Sequence, residues 1–195
     1  MKELGLKLPL IPRQPASFTP VERGGLLLGD TKQADYAQIK RYSTNDADRY
    51  FQYEKLLGLL GNSIQPLLDV DVGDFSSATI KAAFQSSARF LKLKNDIPTA
   101  LSLFLGSARN QLNSWFETEI LKATLATDAL IGTFAGPSSP GTGYILLHHI
   151  MGNGPWSYVR GGMGTISQLL ANTARYYGAE ILVNTEVNSL SKRPF

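Results

Sequence analysis

Apolar residues recur at intervals of three and four along most of this chain and alternate only briefly, the pattern of a helix-rich protein with few strands. Tyr50, Tyr53, Leu57, Leu60 and Ile64 mark one buried helical stripe. Ser43 to Asp46, a hydroxyl with a carboxylate three residues on, supplies a capping arrangement just ahead of it. A third helix is expected from about Ala78 to Lys94, with the apolar stripe Ile80, Phe84, Ala88 and Leu91. Lys81, Gln85, Arg89 and Lys92 follow one residue behind and form a basic edge. A short apolar helix should end at Leu105. The longest should run from about Arg109 to Ile131, because Leu112, Phe116, Ile120, Ala123, Ala126 and Leu130 keep helical spacing throughout. Thr165 to Tyr177 is helical, stopped by Gly178 in the left-handed conformation.

Strands are fewer. Gly24 to Gly29 reads as a short buried strand after a proline-broken lead-in, and Asp30 should cap a helix through Ile39. Trp156 to Val159 and the alternating Glu180 to Val187 are the other strands, while Tyr144 to Met151 has a length that suits helix or strand. Loops rich in glycine and proline fall at 136–143 and 152–155. There are no internal repeats. The class is mixed, with helices dominant.

Composition narrows the chemistry. The 195 residues include no cysteine, which removes disulfide scaffolds, zinc thiolates and thiol redox chemistry, so any redox work runs on a bound cofactor. A formal net charge of +3, spread along the chain, argues against a nucleic-acid partner. No stretch is apolar for long enough to span a bilayer, and the first residues resemble neither a secretory nor a transit signal. His148 and His149 are the only histidines; as neighbours they point to different sides of a helix or strand, so they cannot chelate one metal, and no metal site is expected. Glu119 with Lys122 reads as a surface ion pair. The basic edge at Lys81, Arg89 and Lys92 suits a solvated helix face and, less directly, peripheral contact with an anionic membrane.

Gly161-Gly162-Met163-Gly164 lies between an expected strand and an expected helix. Adjacent glycines let the backbone approach a ligand closely, and a helix start offers unpaired N–H groups. As a dinucleotide fingerprint the run is weak, since Ser167 stands where the third glycine belongs; on spacing alone a plain tight turn is the stronger reading.

The continuous text WFETEILKATLATDALIGTFAGPSSPGTGYILLHHIMG at 115–152 carries more information. It resembles the central region of the pyridine nucleotide-disulphide oxidoreductase domain-containing protein 2 family, FAD-dependent relatives of phytoene desaturase and of the carotenoid and retinoid oxidoreductases. WSYVRGGMGTISQLLANTARYYGAEILVNTEV at 156–187 is similar to the same family, as are SFTP at 17–20, LLLG at 26–29 and the Tyr53 to Asp69 helix ending in IQPLLD. The resemblance extends from about Leu4 to Val187.

That resemblance implies an α/β flavoprotein of two domains, of which this chain is a helix-rich α+β piece. Residues 1–155 would be substrate domain, 156–190 a segment returning to the FAD-binding domain, and 191–195 a tail. It implies FAD as cofactor, with Gly161, Gly162 and Met163 approaching the flavin and the Val187 backbone meeting its adenine end. His148, His149 and Trp156 would line a pocket for an apolar small-molecule substrate, which is dehydrogenated by hydride transfer to flavin. It further implies the mitochondrial matrix in a eukaryote and the cytoplasm in a bacterium. The family's opening strand–GxGxxG–helix unit, which carries the pyrophosphate, does not occur here. The expectation is therefore an incomplete chain that is inactive alone. The alternative is a non-catalytic module whose uncovered apolar face engages a protein partner or another copy.

Overall fold

A computed structural model describes residues 4–68, 70–71, 73, 76–91, 97–148 and 156–191. Four short strands form two antiparallel pairs. β1 (Leu10–Pro12) pairs with β4 (Ser157–Val159), and β2 (Ser17–Val21) pairs with β3 (Gly24–Leu28). Among the described residues eight α-helices accompany them, so the piece is α+β and helix-rich, as expected. The chain forms two compact units, one of residues 14–148 and one of 4–13 with 156–191.

The larger unit begins with the β2–β3 hairpin. Its register puts Leu26 and Leu28 into the core, and Gly25 is required because a Cβ there would lie 2.6 Å from the Thr19 carbonyl oxygen. Helix α1 (Lys32–Lys40) is capped by Thr31, whose hydroxyl accepts from the Ala34 N–H at 3.2 Å. The expected cap, Asp30, is drawn away: its carboxylate accepts from the Gln14 amide at 2.7 Å.

Helix α2 (Thr44–Leu68) is the centre of this unit, and Tyr50, Tyr53, Leu57, Leu60 and Ile64 are all buried as their spacing foretold. Ser43 caps it, accepting from the Asp46 N–H at 3.1 Å. Helices α3 (Ser77–Leu91) and α4 (Ile97–Leu105) follow, and Leu103 joins Ile39 and Leu60 in the core. The Tyr144–Met151 stretch is helical where described, as α7 (Thr142–His148). No helix among the described residues is long and apolar enough to cross a membrane.

Three further expectations fail, each for a physical reason. The long helix from Arg109 is broken into α5 (Ala108–Trp115), α6 (Glu119–Ala126) and one 3₁₀ turn at Thr127–Ala129. The break comes from afar: the buried Asp46 carboxylate accepts from the Glu117 N–H at 2.9 Å, the Thr118 N–H at 3.0 Å and the Thr118 hydroxyl at 2.5 Å. These bonds hold 117–118 off the helical path, with Phe116 extended at φ −127°. In α3 the apolar stripe faces outward. Ile80, Phe84 and Leu91 are exposed, while Thr79, Ala82 and Ser86 are buried on the side that packs on α2. Small side chains permit a close helix approach there, and the larger ones are left outside. Residues 180–187 form no strand: a strand exists through its ladder, and none of the described residues pairs with this segment.

Candidate functional site

The smaller unit holds the glycine turn. Its base is the β1–β4 pair, extended by bonds from the Arg160 N–H to the Pro9 carbonyl and from the Arg13 N–H to the Trp156 carbonyl, both 2.8 Å. Beyond β4 the chain turns through Gly161 and Gly162 into α8 (Met163–Tyr176). The two glycines have φ of +85° and +82°, a region that residues with a side chain rarely adopt. The Gly162 N–H donates to the Val159 carbonyl at 2.9 Å, and the Thr165 hydroxyl donates to the Arg160 carbonyl at 3.1 Å, which fixes the turn to the helix it starts.

The turn's two faces differ. A Cβ on Gly161 would meet the Thr165 hydroxyl at 2.7 Å, so that glycine serves local packing. A Cβ on Gly162 would meet nothing within 4 Å, and no side chain caps α8. The Thr165 N–H donates to the Gly162 carbonyl at 3.1 Å, while the Met163 and Gly164 N–H groups, ahead of it, have no acceptor within the helix. This is a backbone surface that a planar or anionic group can approach closely.

Gly161, Gly162 and Met163 are thus contiguous at one helix start, and the Met163 side chain is 73% exposed. Val187 lies in the irregular stretch after α8, with an exposed side chain. Gly178, at φ +88°, ends α8 as expected, with the Ala179 N–H returning to the Ala174 carbonyl at 2.9 Å. Trp156 precedes β4 and is exposed. His148 closes α7 in the other unit, but its side chain falls outside the described residues, as does all of His149. Among the described residues no three carboxylates or histidines converge as metal ligands.

Two features of the larger unit escaped the sequence. Burial raises the carboxyl pKa of Glu54, beside Tyr50 and Asp35, and Asp35 is itself raised by burial against the lowering effect of bonds from the Gly29 and Asp30 N–H groups. Burial likewise raises the phenols of Tyr50 and Tyr53. A cleft of about 430 Å³ lies between α5 and α6, with Arg109 and Lys122 among its walls. It exists because of the break at 116–118, so helical spacing pointed away from it.

The Glu119–Lys122 ion pair is present at 2.6 Å. Of the basic edge on α3, Arg89 is engaged, donating to the Asn62 carbonyl at 2.5 Å, and Lys92 lies outside the described residues.

Comparison with known proteins agrees with the resemblance read from 115–152 and 156–187. The chain is 37% identical over 96% of its length to pyridine nucleotide-disulfide oxidoreductase domain-containing protein 2 of Rattus norvegicus, and equally so to that of Mus musculus. It is 28% identical over 96% of its length to an uncharacterised protein of Mycobacterium bovis. In each case it spans 36% of the relative's own length. No family model matches the chain. No solved structure matches it.

Proposed function

We propose that this chain is the substrate-domain portion of an FAD-dependent oxidoreductase that dehydrogenates an apolar substrate in the manner of phytoene desaturase. The observation that carries the reading is the Gly161–Gly162 turn: two left-handed glycines at an uncapped helix start, open on the Gly162 side, within a stretch similar to a named oxidoreductase-domain protein. The residues fit a flavin in this limited sense. Gly162 leaves room for a ring edge or a carbonyl oxygen, and the N–H groups that open α8 donate to it. Bound FAD would supply the hydride acceptor. This chain's own part is then to bring backbone donors and the Met163 side chain to the cofactor, and to supply apolar surface for the substrate. The pyrophosphate grip has no counterpart here, so retention of FAD falls to the rest of the polypeptide.

The test replaces the matching third of the rat protein with this chain and compares the chimera with the unaltered rat protein. Both should elute from a sizing column with flavin absorbance, and Gly162→Val in the chimera should reduce flavin content several-fold without lowering the unfolding temperature of the substrate-domain core. A colourless natural protein, or a chimera whose flavin content ignores Gly162→Val, overturns the reading.

The alternative, a non-catalytic interaction module, draws support from a different place. Ile80, Phe84 and Leu91 on α3 form an apolar strip in the open. Concentration-dependent self-association of the flavin-free chain, abolished by Phe84→Ser, would favour it.

A further inference from the structure

The cleft between α5 and α6 is lined by both apolar and charged residues, and each helix contributes both kinds. Leu112, Ala123, Ala126 and Pro137 are its apolar lining residues, and Arg109, Asn113, Lys122 and Glu119 its polar ones. Its volume of about 430 Å³ lies within the usual range for small-molecule sites, roughly 300–1,000 Å³.

The cleft is held open by bonds that do not involve its lining side chains. The Arg109 N–H donates to the Pro137 carbonyl at 2.8 Å, which fixes the 136–143 loop against α5. Thr142 reinforces this, accepting from the Ala108 N–H at 3.0 Å and donating to the Ser139 carbonyl at 2.7 Å. At the other end the Asp46 carboxylate fixes the start of α6. A site whose walls are fixed in advance loses less freedom when a ligand enters.

Charge selects the ligand. Lys122 is largely covered and already paired with Glu119 at 2.6 Å. The Arg109 guanidinium makes no hydrogen bond or ion pair with any described residue. The lining therefore carries one uncompensated positive charge among apolar residues. One monoanion balances it; a dianionic phosphate would also face Glu119.

We propose that this cleft binds an amphipathic monocarboxylate, its carboxylate on the Arg109 guanidinium with Asn113 donating alongside, and its alkyl chain along Leu112, Ala123 and Ala126. A planar guanidinium matches a carboxylate with two parallel bonds. The site lies wholly within residues 109–137 and does not depend on the flavin reading.

The test titrates the full chain with octanoate, and separately with octanol, following amide shifts in α5 and α6 by NMR. Octanoate should saturate with octanol roughly tenfold weaker, the usual scale for one charge-assisted pair. Arg109→Gln should erase the preference for acid over alcohol. Ala123→Phe, which fills the cleft from an exposed position, should abolish binding of both while leaving the thermal transition unchanged. Three results overturn the proposal: no saturable shift with octanoate, equal binding of acid and alcohol by the unaltered chain, or octanoate binding that survives Ala123→Phe.

Discussion

Helices α2 and α8 carry similar apolar repeats and lead different lives. α2 buries ten residues, among them Tyr53, Leu57 and Leu60, at the centre of a core that α1, α3, α5 and α7 share. α8 buries none, although Ile166, Leu169 and Leu170 recur along it. Its identity as a helix is supplied locally, by the glycines that start it and the Gly178 motif that ends it. Periodicity therefore announces that a face exists, while burial depends on whether another element is present to cover it. The candidate flavin contact sits on the uncovered helix, whereas the carboxylate cleft lies in the unit built around α2.

The largest effect expected from breaking this contrast is at Asp46. Its carboxylate is fully buried and accepts three hydrogen bonds from residues 117 and 118. Asp46→Ala removes the buried acceptor of all three bonds and should cost about 4 kcal/mol, by the usual scale for bonds to a charged group. Urea unfolding followed by tryptophan fluorescence reads this directly, since Trp115 closes α5 beside the break. A loss below about 1 kcal/mol would mean that the α5–α6 break is held by something else. The same variant should loosen the cleft and weaken octanoate binding, whereas the Gly162 turn lies in the other unit and gives no reason for a change there.

Next in size is a matched pair of truncations. Leu60 is fully buried in α2, and Leu170 in α8 is 43% exposed. Leu60→Ala should cost about 3 kcal/mol, since a cavity adds to the lost transfer energy. Leu170→Ala should cost less than about 0.5 kcal/mol, the ordinary result on a surface. Equal losses would show that α8 has a covering partner in solution, such as a second copy, and would dissolve the contrast.

What the sequence made legible follows the same division. The α2 stripe, the β3 strand, the Gly178 stop and the glycine turn are all written in neighbouring residues, and all of these features are present. The α5–α6 break is set by a carboxylate 71 residues away from the chain it diverts, and no local window contains both partners. The outward face of α3 was hidden for a related reason: which side is buried depends on how closely α2 can approach, and Ala82 and Ser86 decide that against Ile80 and Phe84. Alternation at 180–187 marked residues suited to a sheet, but the ladder needs a second strand. Of the candidate site, the Gly161–Met163 turn was legible. The Arg109 cleft was not, because it is a consequence of the break.

The smallest expected effect concerns charge inside the α2 core. Burial raises the Glu54 carboxyl above its usual value of 4.5, so the folded chain holds that proton more tightly than the unfolded chain does. Below the usual value both states are protonated, and Glu54→Gln should match the unaltered protein. As pH rises from there, the unfolded carboxyl ionises first and the unaltered protein loses stability until the folded carboxyl ionises as well. The variant keeps a neutral acceptor for the Tyr50 phenol and escapes this loss. Its advantage in urea midpoint should therefore grow from about pH 4.5 upward and level off once pH passes the raised folded value. Asp35, raised in the same direction, is common to both proteins and largely cancels in the difference. An advantage that shrinks with rising pH would place Glu54 in a polar, ion-paired setting, and the α2 core would then extend less far around Tyr50 than its burial indicates.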